Sequence, residues 1–200
     1  MNPTQVLKNE HRVIECVLDV LEKMSEKART EKTLDADSAH KAIDFFKNFA
    51  DQCHHGKEEV HLFTWMEEQG FPRDGGPTGV MLHEHEIGRS HVRAMKASID
   101  EAAQGDEKAR IQFVDNAQGF IPMLREHIQK EDHCLFPMAD NHMSDEQRNE
   151  MMNRFHHTEK EDMGEGKHEH WIEVAKTLAQ RYEVPFNVPT EACGCAHHAS

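Results

Sequence analysis

The sequence HHGKEEVHLF at residues 54–63 recurs as HIQKEDHCLF at residues 127–136, with the His, the acidic pair and the Leu-Phe pair at the same offsets. Each copy is preceded by a Glu-His pair, Glu10-His11 for the first and Glu84-His85 for the second. A histidine and a glutamate four positions apart lie one helical turn apart and point the same way. Two such helices, with one further histidine from each of two more helices, could enclose a small metal cluster.

Four stretches around these residues show apolar side chains at helical spacing. The stripes begin at Leu7, Ile43, Met81 and Phe113 and step by three and four residues. No stretch alternates apolar and polar residues for long, which argues against strands. A shift of 73 or 74 residues aligns the two halves. We therefore expect an all-α chain, an antiparallel up-down four-helix bundle built from a duplicated helix pair.

The breaks between the stripes give the expected organisation. The Pro- and Gly-rich residues 71–79 separate the second and third helices, and Gly105 separates the third from the fourth. Pro122 should kink the fourth helix or reset its start, and Phe136-Pro137 should end that helix or lie close to its end. Ser144 and Gln147 predict a capping box that opens a fifth helix, with a sixth helix before Pro185. The expected parts are a bundle at 1–140, a helical extension at 141–185 and a flexible tail at 186–200.

Composition narrows the class of partner. The chain has a net charge of -14 with 30% charged residues, which argues against nucleic acid and anionic membranes. It contains no apolar run long enough for a transmembrane helix and no signal-peptide layout at its start. Five cysteines form no framework spacing. These features predict a cytoplasmic protein in a reducing compartment, without nucleic acid or membrane partners.

The candidate ligands lie inside the apolar stripes. A carboxylate on a core-facing stripe needs a cation, because burying it unpaired is costly. The His-x-x-x-Glu spacing by itself is a weak signal in a chain with 17 histidines. Repeat alignment favours His54 over His55 and Glu131 over Asp132. The predicted metal ligands are His11, His54, Glu58, His85, His127 and Glu131.

These motifs resemble the hemerythrin family, in its bacterial HHE cation-binding branch. The resemblance rests on four segments and covers roughly residues 5–140. The segments are EHRVI at 10–14, HHGKEE at 54–59, EHExGR at 84–89 and HIQKED at 127–132. It implies two iron ions bridged by the two glutamates and an oxo or hydroxo group, with the four histidines as terminal ligands. It also implies that O2 binds at an open iron position.

The sequence departs from the oxygen carriers of that family on the third helix. Those proteins place two histidines one turn apart, whereas here Arg89 follows His85 and Met81 precedes it. One iron then lacks a histidine, unless His83, His91, a glutamate or water substitutes. This departure disfavours simple O2 carriage as the function and favours sensing, redox turnover or peroxide chemistry instead. Arg89 is expected either to support His85 or to form a surface salt bridge.

Several alternatives remain at this point. A ferritin-like site uses Glu-x-x-His, which is not repeated between the halves here, and zinc or manganese could take the same ligands. Three functions are compatible: an O2-binding or O2-sensing protein, a diiron enzyme acting on hydrogen peroxide or nitric oxide, and an iron-handling or regulatory module. The cluster of Cys193, Cys195, His197 and His198 could bind a metal or form a redox pair.

Overall fold

The computed structural model describes residues 2–162 and 164–188. Within these residues every regular element is a helix and there is no β-strand, which confirms the all-α prediction. No helix in the described part of the chain is both long enough and apolar enough to cross a membrane. The cluster at Cys193, Cys195, His197 and His198 lies outside the described residues.

The first half of the duplication contains two long helical segments. Helix α1 spans Pro3–Thr30, with proline in its first turn, where no helical N–H partner is lost. Helix α2 spans Ala36–Phe45, and the carboxylate of Asp35 caps it by accepting from the backbone N–H of Ser38. The chain then stays helical in a wider, π-helical form. The bounds of that continuation are Phe46–His55 and Glu58–Leu62 for the π segments and Phe63–Glu68 for α3.

The second half repeats this design. Helix α4 spans Pro77–Ala103, and α5 spans Glu107–Lys130 behind a cap from Asp106. Gly105 has φ +96° in the turn between them, a conformation that favours glycine. A π segment at Glu131–Leu135 leads into α6 at Phe136–His142. The prediction that Pro137 ends this helix is wrong: Pro137 lies in the first turn of α6, where a missing N–H is tolerated.

The C-terminal helices follow directly. Helix α7 spans Asp145–His157 and opens with the predicted capping box of Ser144 and Gln147. A π segment at Thr158–Asp162 and helix α8 at Lys167–Arg181 complete the described structure. Helix α8 packs against α1 and α2, and α7 contacts α1 and the π segment that carries Glu58. The extension therefore covers one side of the duplicated helices.

A polar layer divides the apolar core into two clusters. One cluster includes Leu7, Leu62 and Leu135, and the other includes Ile14 and Leu124. The residues between them along each helix are buried histidines and glutamates. Helix α5 contacts α1 and α4, and α2 contacts α1 and α4, so four helices surround this layer. The fold thus places the predicted ligands at mid-length, where water is excluded from both ends.

Candidate metal centre

Both copies of the repeated sequence carry a π-helical turn at the glutamate. The turns are Glu58–Leu62 and Glu131–Leu135, each following the histidine by four residues. A π turn bonds residue i to i+5, widens the helix and rotates the side chains near it, and such turns are frequent at functional sites. The local structure therefore repeats together with the sequence, and it sets the direction of both glutamates.

All six predicted ligand residues come together in the buried layer. Their exposed fractions lie between 0% and 1%. One compact group contains His11, His54, Glu58 and Glu131, with one potential ligand atom from each residue within 4.8 Å of the others. The predicted residues therefore lie close together in the structure.

A second compact group adds a histidine that sequence reasoning set aside. It contains His55, Glu58, His85 and His127, again with ligand atoms within 4.8 Å of one another. The His55 ring stacks on the His85 ring with centroids 3.7 Å apart. His55 therefore stands near the position where a second third-helix histidine was missing, and Glu58 belongs to both groups. The sequence analysis preferred His54 over His55, and the structure places both residues in the layer.

The two carboxylates each face both groups. Glu58 Oε1 lies 3.4 Å from Nε2 of His54, and Glu58 Oε2 lies 3.5 Å from Nε2 of His85. Glu131 Oε2 lies 3.2 Å from Nε2 of His11, and Glu131 Oε1 lies 3.3 Å from Nε2 of His127. Each carboxylate therefore points one oxygen toward each cluster, which is the arrangement that two shared ligands require.

The buried polar atoms test whether a metal suits this layer. Both oxygens of Glu58, both oxygens of Glu131 and Nε2 of His11 are buried without a hydrogen-bond partner. Burying unpaired carboxylates costs several kcal/mol each, as an order of magnitude, unless a cation compensates them. Imidazole nitrogens and carboxylate oxygens together form a donor set that suits iron, zinc and manganese. The residues present therefore fit a metal pair.

A carboxylate lies behind each of the four histidines predicted as ligands and fixes the proton on Nδ1. Nδ1 of His54 donates to Glu10 at 2.9 Å, and Nδ1 of His127 donates to Glu84 at 2.8 Å. The same contact joins His11 to Asp132 at 2.8 Å and His85 to Glu59 at 2.7 Å. Because a carboxylate accepts, Nδ1 of each ring carries a proton, and Nε2 faces the centre. Such outer carboxylates orient metal-binding histidines and raise their basicity.

These contacts explain the Glu-His pairs that precede each repeat copy. Glu10 does not hold its neighbour His11 but reaches across to His54, and Glu84 reaches from α4 to His127. Asp132, the acidic residue not chosen as ligand, supports His11 instead. Arg89 bonds both Glu59 and Asp51, which are the carboxylates behind His85 and His55. Arg89 is therefore part of the support of the site.

Burial keeps His54, His55 and His85 neutral, whereas Asp132 and Glu131 raise the pKa of His11 in spite of its burial. Loss of solvent lowers the pKa of His54 and His55 to about 4 and that of His85 to about 3. Burial also acts on His127, but the charges of Glu131 and Glu84 outweigh it and raise its pKa to about 9. A neutral imidazole is the form that binds a metal, and bound cations displace any remaining proton.

The two shared carboxylates titrate in opposite directions without a cation. Burial and the neighbouring Glu131 raise the pKa of Glu58 well above its ordinary value. Burial opposes ionisation of Glu131 too, but His127 and His11 hold its pKa well below the ordinary value. Two carboxylates this close do not both ionise alone, so positive charge is what the centre lacks.

A cavity of about 330 Å³ reaches the second group from the surface. It lies between α2 with its π continuation, α4 and α5, and His55, His85 and His127 form its deep end. Its walls include Phe46, Ala50, Gly88, Val92 and Phe120. The cavity therefore gives small molecules a path from solvent to the second group.

Comparisons with known proteins agree with this geometry. The sequence profile of the family described as "Hemerythrin HHE cation binding domain" matches residues 2–139. Proteins described as uncharacterized from two strains of Mycobacterium tuberculosis and from Mycobacterium bovis are each 24% identical over 159 residues, which is 80% of this chain. The chain spans 62% of the length of these relatives. No solved structure matches the chain significantly.

Proposed function

Because the chain belongs to the hemerythrin HHE cation-binding family, we propose that it holds two iron ions and binds or senses O2 at them. The observation that carries the proposal is the pair of His/Glu groups that share Glu58 and leave four carboxylate oxygens without partners. Membership of this family indicates a metal-binding module. The choice of iron and of O2 is our inference.

The donor atoms divide unequally between the two ions. His11 and His54 would hold the first ion, and His55, His85 and His127 would hold the second. Glu58 and Glu131 would contact both, because each directs one oxygen to either group. The second ion is the one that the cavity reaches. This assignment supplies the histidine that the third helix lacks.

Iron supplies reversible binding or reduction of O2 when it is bound. The protein's own residues do the rest. The apolar clusters on both sides of the layer exclude water, and the outer carboxylates keep each Nε2 directed inward. The cavity admits a small ligand to the second group. These features favour access of a ligand through the cavity over general exposure of the metal.

We also infer an antiparallel up-down arrangement of α1, the segment 36–68, α4 and the segment 107–142. The contacts of α5 with α1 and α4, and of α2 with α1 and α4, support it. In this view residues 1–140 form the bundle and residues 141–185 an extension packed on it. A cytoplasmic location remains the expectation from composition.

A diiron enzyme acting on hydrogen peroxide or nitric oxide is the second candidate function. The observation that favours it is the size of the cavity at the second group, which exceeds what a diatomic molecule needs. Catalytic loss of peroxide by the iron-loaded protein, abolished in His54→Ala, would support this candidate. An iron-handling or regulatory role has no specific contact in its favour.

The direct test is metal analysis with a visible spectrum. We expect about two irons per chain in protein purified from cells grown with iron. We also expect an absorption change when O2 reaches the reduced protein, reversed when O2 is removed. A fully folded protein that takes up no iron under these conditions contradicts the diiron proposal. Irreversible oxidation with peroxide turnover contradicts O2 carriage and favours the enzyme.

The His55→Ala variant tests the unequal division of ligands. Because His55 lies only in the second group, its loss should weaken binding of the second ion and leave binding of the first ion unchanged. We expect iron content to fall from about two to about one per chain under mild chelation. His133→Ala is the matched control, since His133 lies in the equivalent repeat but is exposed and bonds the carbonyl of Gln129. Equal iron loss in both variants would contradict the assignment of His55.

A further inference from the structure

The cavity above the second group is apolar along its length. Phe46, Ala50, Val92, Phe120 and Leu124 form the walls between the surface and His85. Its volume of about 330 Å³ lies in the range of roughly 300–1,000 Å³ that is usual for organic ligands. A water molecule needs only about 30 Å³ of liquid volume. The cavity is therefore large enough for an organic molecule beside a diatomic one.

The mouth of this cavity is basic in a strongly acidic chain. Lys47, Arg89, Arg93 and Lys96 line it, although the whole chain has a net charge of -14. Arg89 is paired with Asp51, and Lys96 is paired with Asp44. Within the part of the chain that the structure describes, Lys47 and Arg93 are exposed and have no acidic partner. Two uncompensated cations thus flank the entrance.

The acidic groups of the cavity do not cancel these two charges. Asp51 and Glu84 are the carboxylates that line it. Asp51 is engaged by Arg89 and His55, and Glu84 by Lys130 and His127. Each already has a cation or an imidazole donor. The free charge at the mouth is therefore positive, and it would attract an anion.

Because the chain is duplicated, the basic residues at the mouth, here called the rim, can be compared with the equivalent residues of the other half. A shift of 74 residues places Glu15, Asp19 and Glu22 where Arg89, Arg93 and Lys96 stand. The equivalent rim in the other half is thus acidic, and Arg125 bonds two of its carboxylates. Equivalent positions in the two halves therefore carry opposite charge. The basic rim is therefore a local property of the cavity side and not a property of the fold.

The residues that line the cavity walls also differ in size from their equivalents in the other half. The shift that aligns the rim places Ile14 at the position of Gly88 and Leu18 at that of Val92. Ile14 and Leu18 are fully buried in the core, with 1% and 0% exposure. Gly88 instead presents backbone toward the cavity, and Val92 is only partly buried. One half is closed by larger side chains, and the other is open.

We propose that this cavity binds an organic anion with an apolar body, such as a medium-chain carboxylate. Its carboxylate would sit between Lys47 and Arg93, and its apolar body would extend along Phe46, Val92 and Phe120 toward His55. The inference rests on the proposed function only in placing the apolar end beside the second metal group. Charge at the mouth and apolar walls below it select this class over an inorganic anion or a neutral hydrocarbon.

The test is calorimetric titration of the purified, iron-containing chain with octanoate, 1-octanol and acetate. We expect octanoate to bind at least about tenfold more tightly than either of the others, a difference of about 1.4 kcal/mol. Acetate carries the charge without the body, and octanol carries the body without the charge. Octanoate that binds no better than acetate or octanol would overturn the proposal.

Two variants locate the binding. Lys47→Gln with Arg93→Gln should weaken octanoate binding about tenfold or more. Val92→Phe should also weaken it, because a partly exposed wall residue then fills the cavity. The matched control, Lys32→Gln with Lys108→Gln, removes the same charge from exposed sites and should leave binding unchanged. Equal loss in the control and the rim variant, or unchanged binding in Val92→Phe, would place the ligand elsewhere and overturn the proposal.

Iron content measured on the same samples distinguishes failure of the diiron proposal from failure of the organic-anion proposal. Octanoate binding by a chain that contains no iron would contradict the proposed function and leave the organic-anion site standing. Two irons per chain without octanoate binding would contradict the organic-anion site alone.

Discussion

Glu58→Ala is expected to abolish metal binding at both groups. Glu58 belongs to both clusters, and its two oxygens face His54 on one side and His85 on the other. Removing a shared carboxylate takes one ligand from each ion and also takes away half of the negative charge between them. We expect iron content to fall from about two per chain to below about 0.2, measured by elemental analysis after gel filtration.

The control for this variant is Glu101→Ala, which removes an exposed carboxylate from α4. It should retain the wild-type iron content. Glu59→Ala should give an intermediate result, because Glu59 bonds Nδ1 of His85 without facing the centre. Loss of an outer carboxylate typically weakens metal binding about 10–100-fold. Retention of either iron in Glu58→Ala would contradict the shared role of Glu58.

The free energy of unfolding tests the role of Glu58 independently of the iron content. In the metal-free protein, Glu58 is a fully buried acid whose oxygens lack hydrogen bonds. Glu58→Met replaces it with an apolar side chain of similar length, so the metal-free variant should be as stable as the metal-free wild type or more stable by about 1–3 kcal/mol. Metal should stabilise the wild type and not the variant. A large loss of stability in metal-free Glu58→Met would indicate a purely structural role.

The sequence predicted the helices from the spacing of apolar residues, and it selected candidate ligands through the duplication. Repeated positions on apolar stripes identified His54 with His127 and Glu58 with Glu131, and the structure brings all of them together. The helix caps at Asp35, Asp106 and Ser144 are equally local signals, because they depend on residues within one turn. The predicted residues that lie close together are those at which both halves keep the same residue type.

His55 escaped the same reasoning because it has no counterpart. The equivalent position in the second half is Ile128, a buried apolar residue. Neighbouring residues in an α-helix point about 100° apart, so α-helical spacing predicts different faces for His54 and His55. The segment Phe46–His55 is π-helical, and its wider turn lets both side chains reach the polar layer. Periodicity based on the α-helix could not anticipate this.

The outer carboxylates also lay beyond sequence reasoning. Glu10 and Glu84 were visible as members of Glu-His pairs, but their partners are on other helices. Which residue they hold depends on how the helices are placed side by side. Helical spacing gives direction on one helix and says nothing about distance across the bundle. Contacts of this kind come only from the tertiary structure.

Lys57→Met is expected to be among the most destabilising single changes in the chain. The Lys57 ammonium is fully buried, bonds Glu10, and lies 2.6 Å from Glu159 of the π segment after α7. His168 of α8 also bonds Glu10, at 3.0 Å. Removing the cation leaves the buried Glu10 and the partly buried Glu159 without their lysine partner. Breaking such a pair costs about 3–5 kcal/mol, or roughly 6–20 °C in Tm for a chain of this size.

The duplication supplies the control for Lys57. Lys130 occupies the equivalent position and pairs with Glu84, as Lys57 pairs with Glu10, but the Lys130 side chain is 42% exposed. An exposed pair contributes about 0.2–1 kcal/mol, so Lys130→Met should change Tm little. The difference arises because α7 and α8 cover the first half and leave the second open. Lys57→Met with Glu159→Gln should recover part of the loss, since it removes one of the stranded carboxylates. Equal Tm values for the two lysine variants in thermal unfolding would show that the extension does not bury this ion pair.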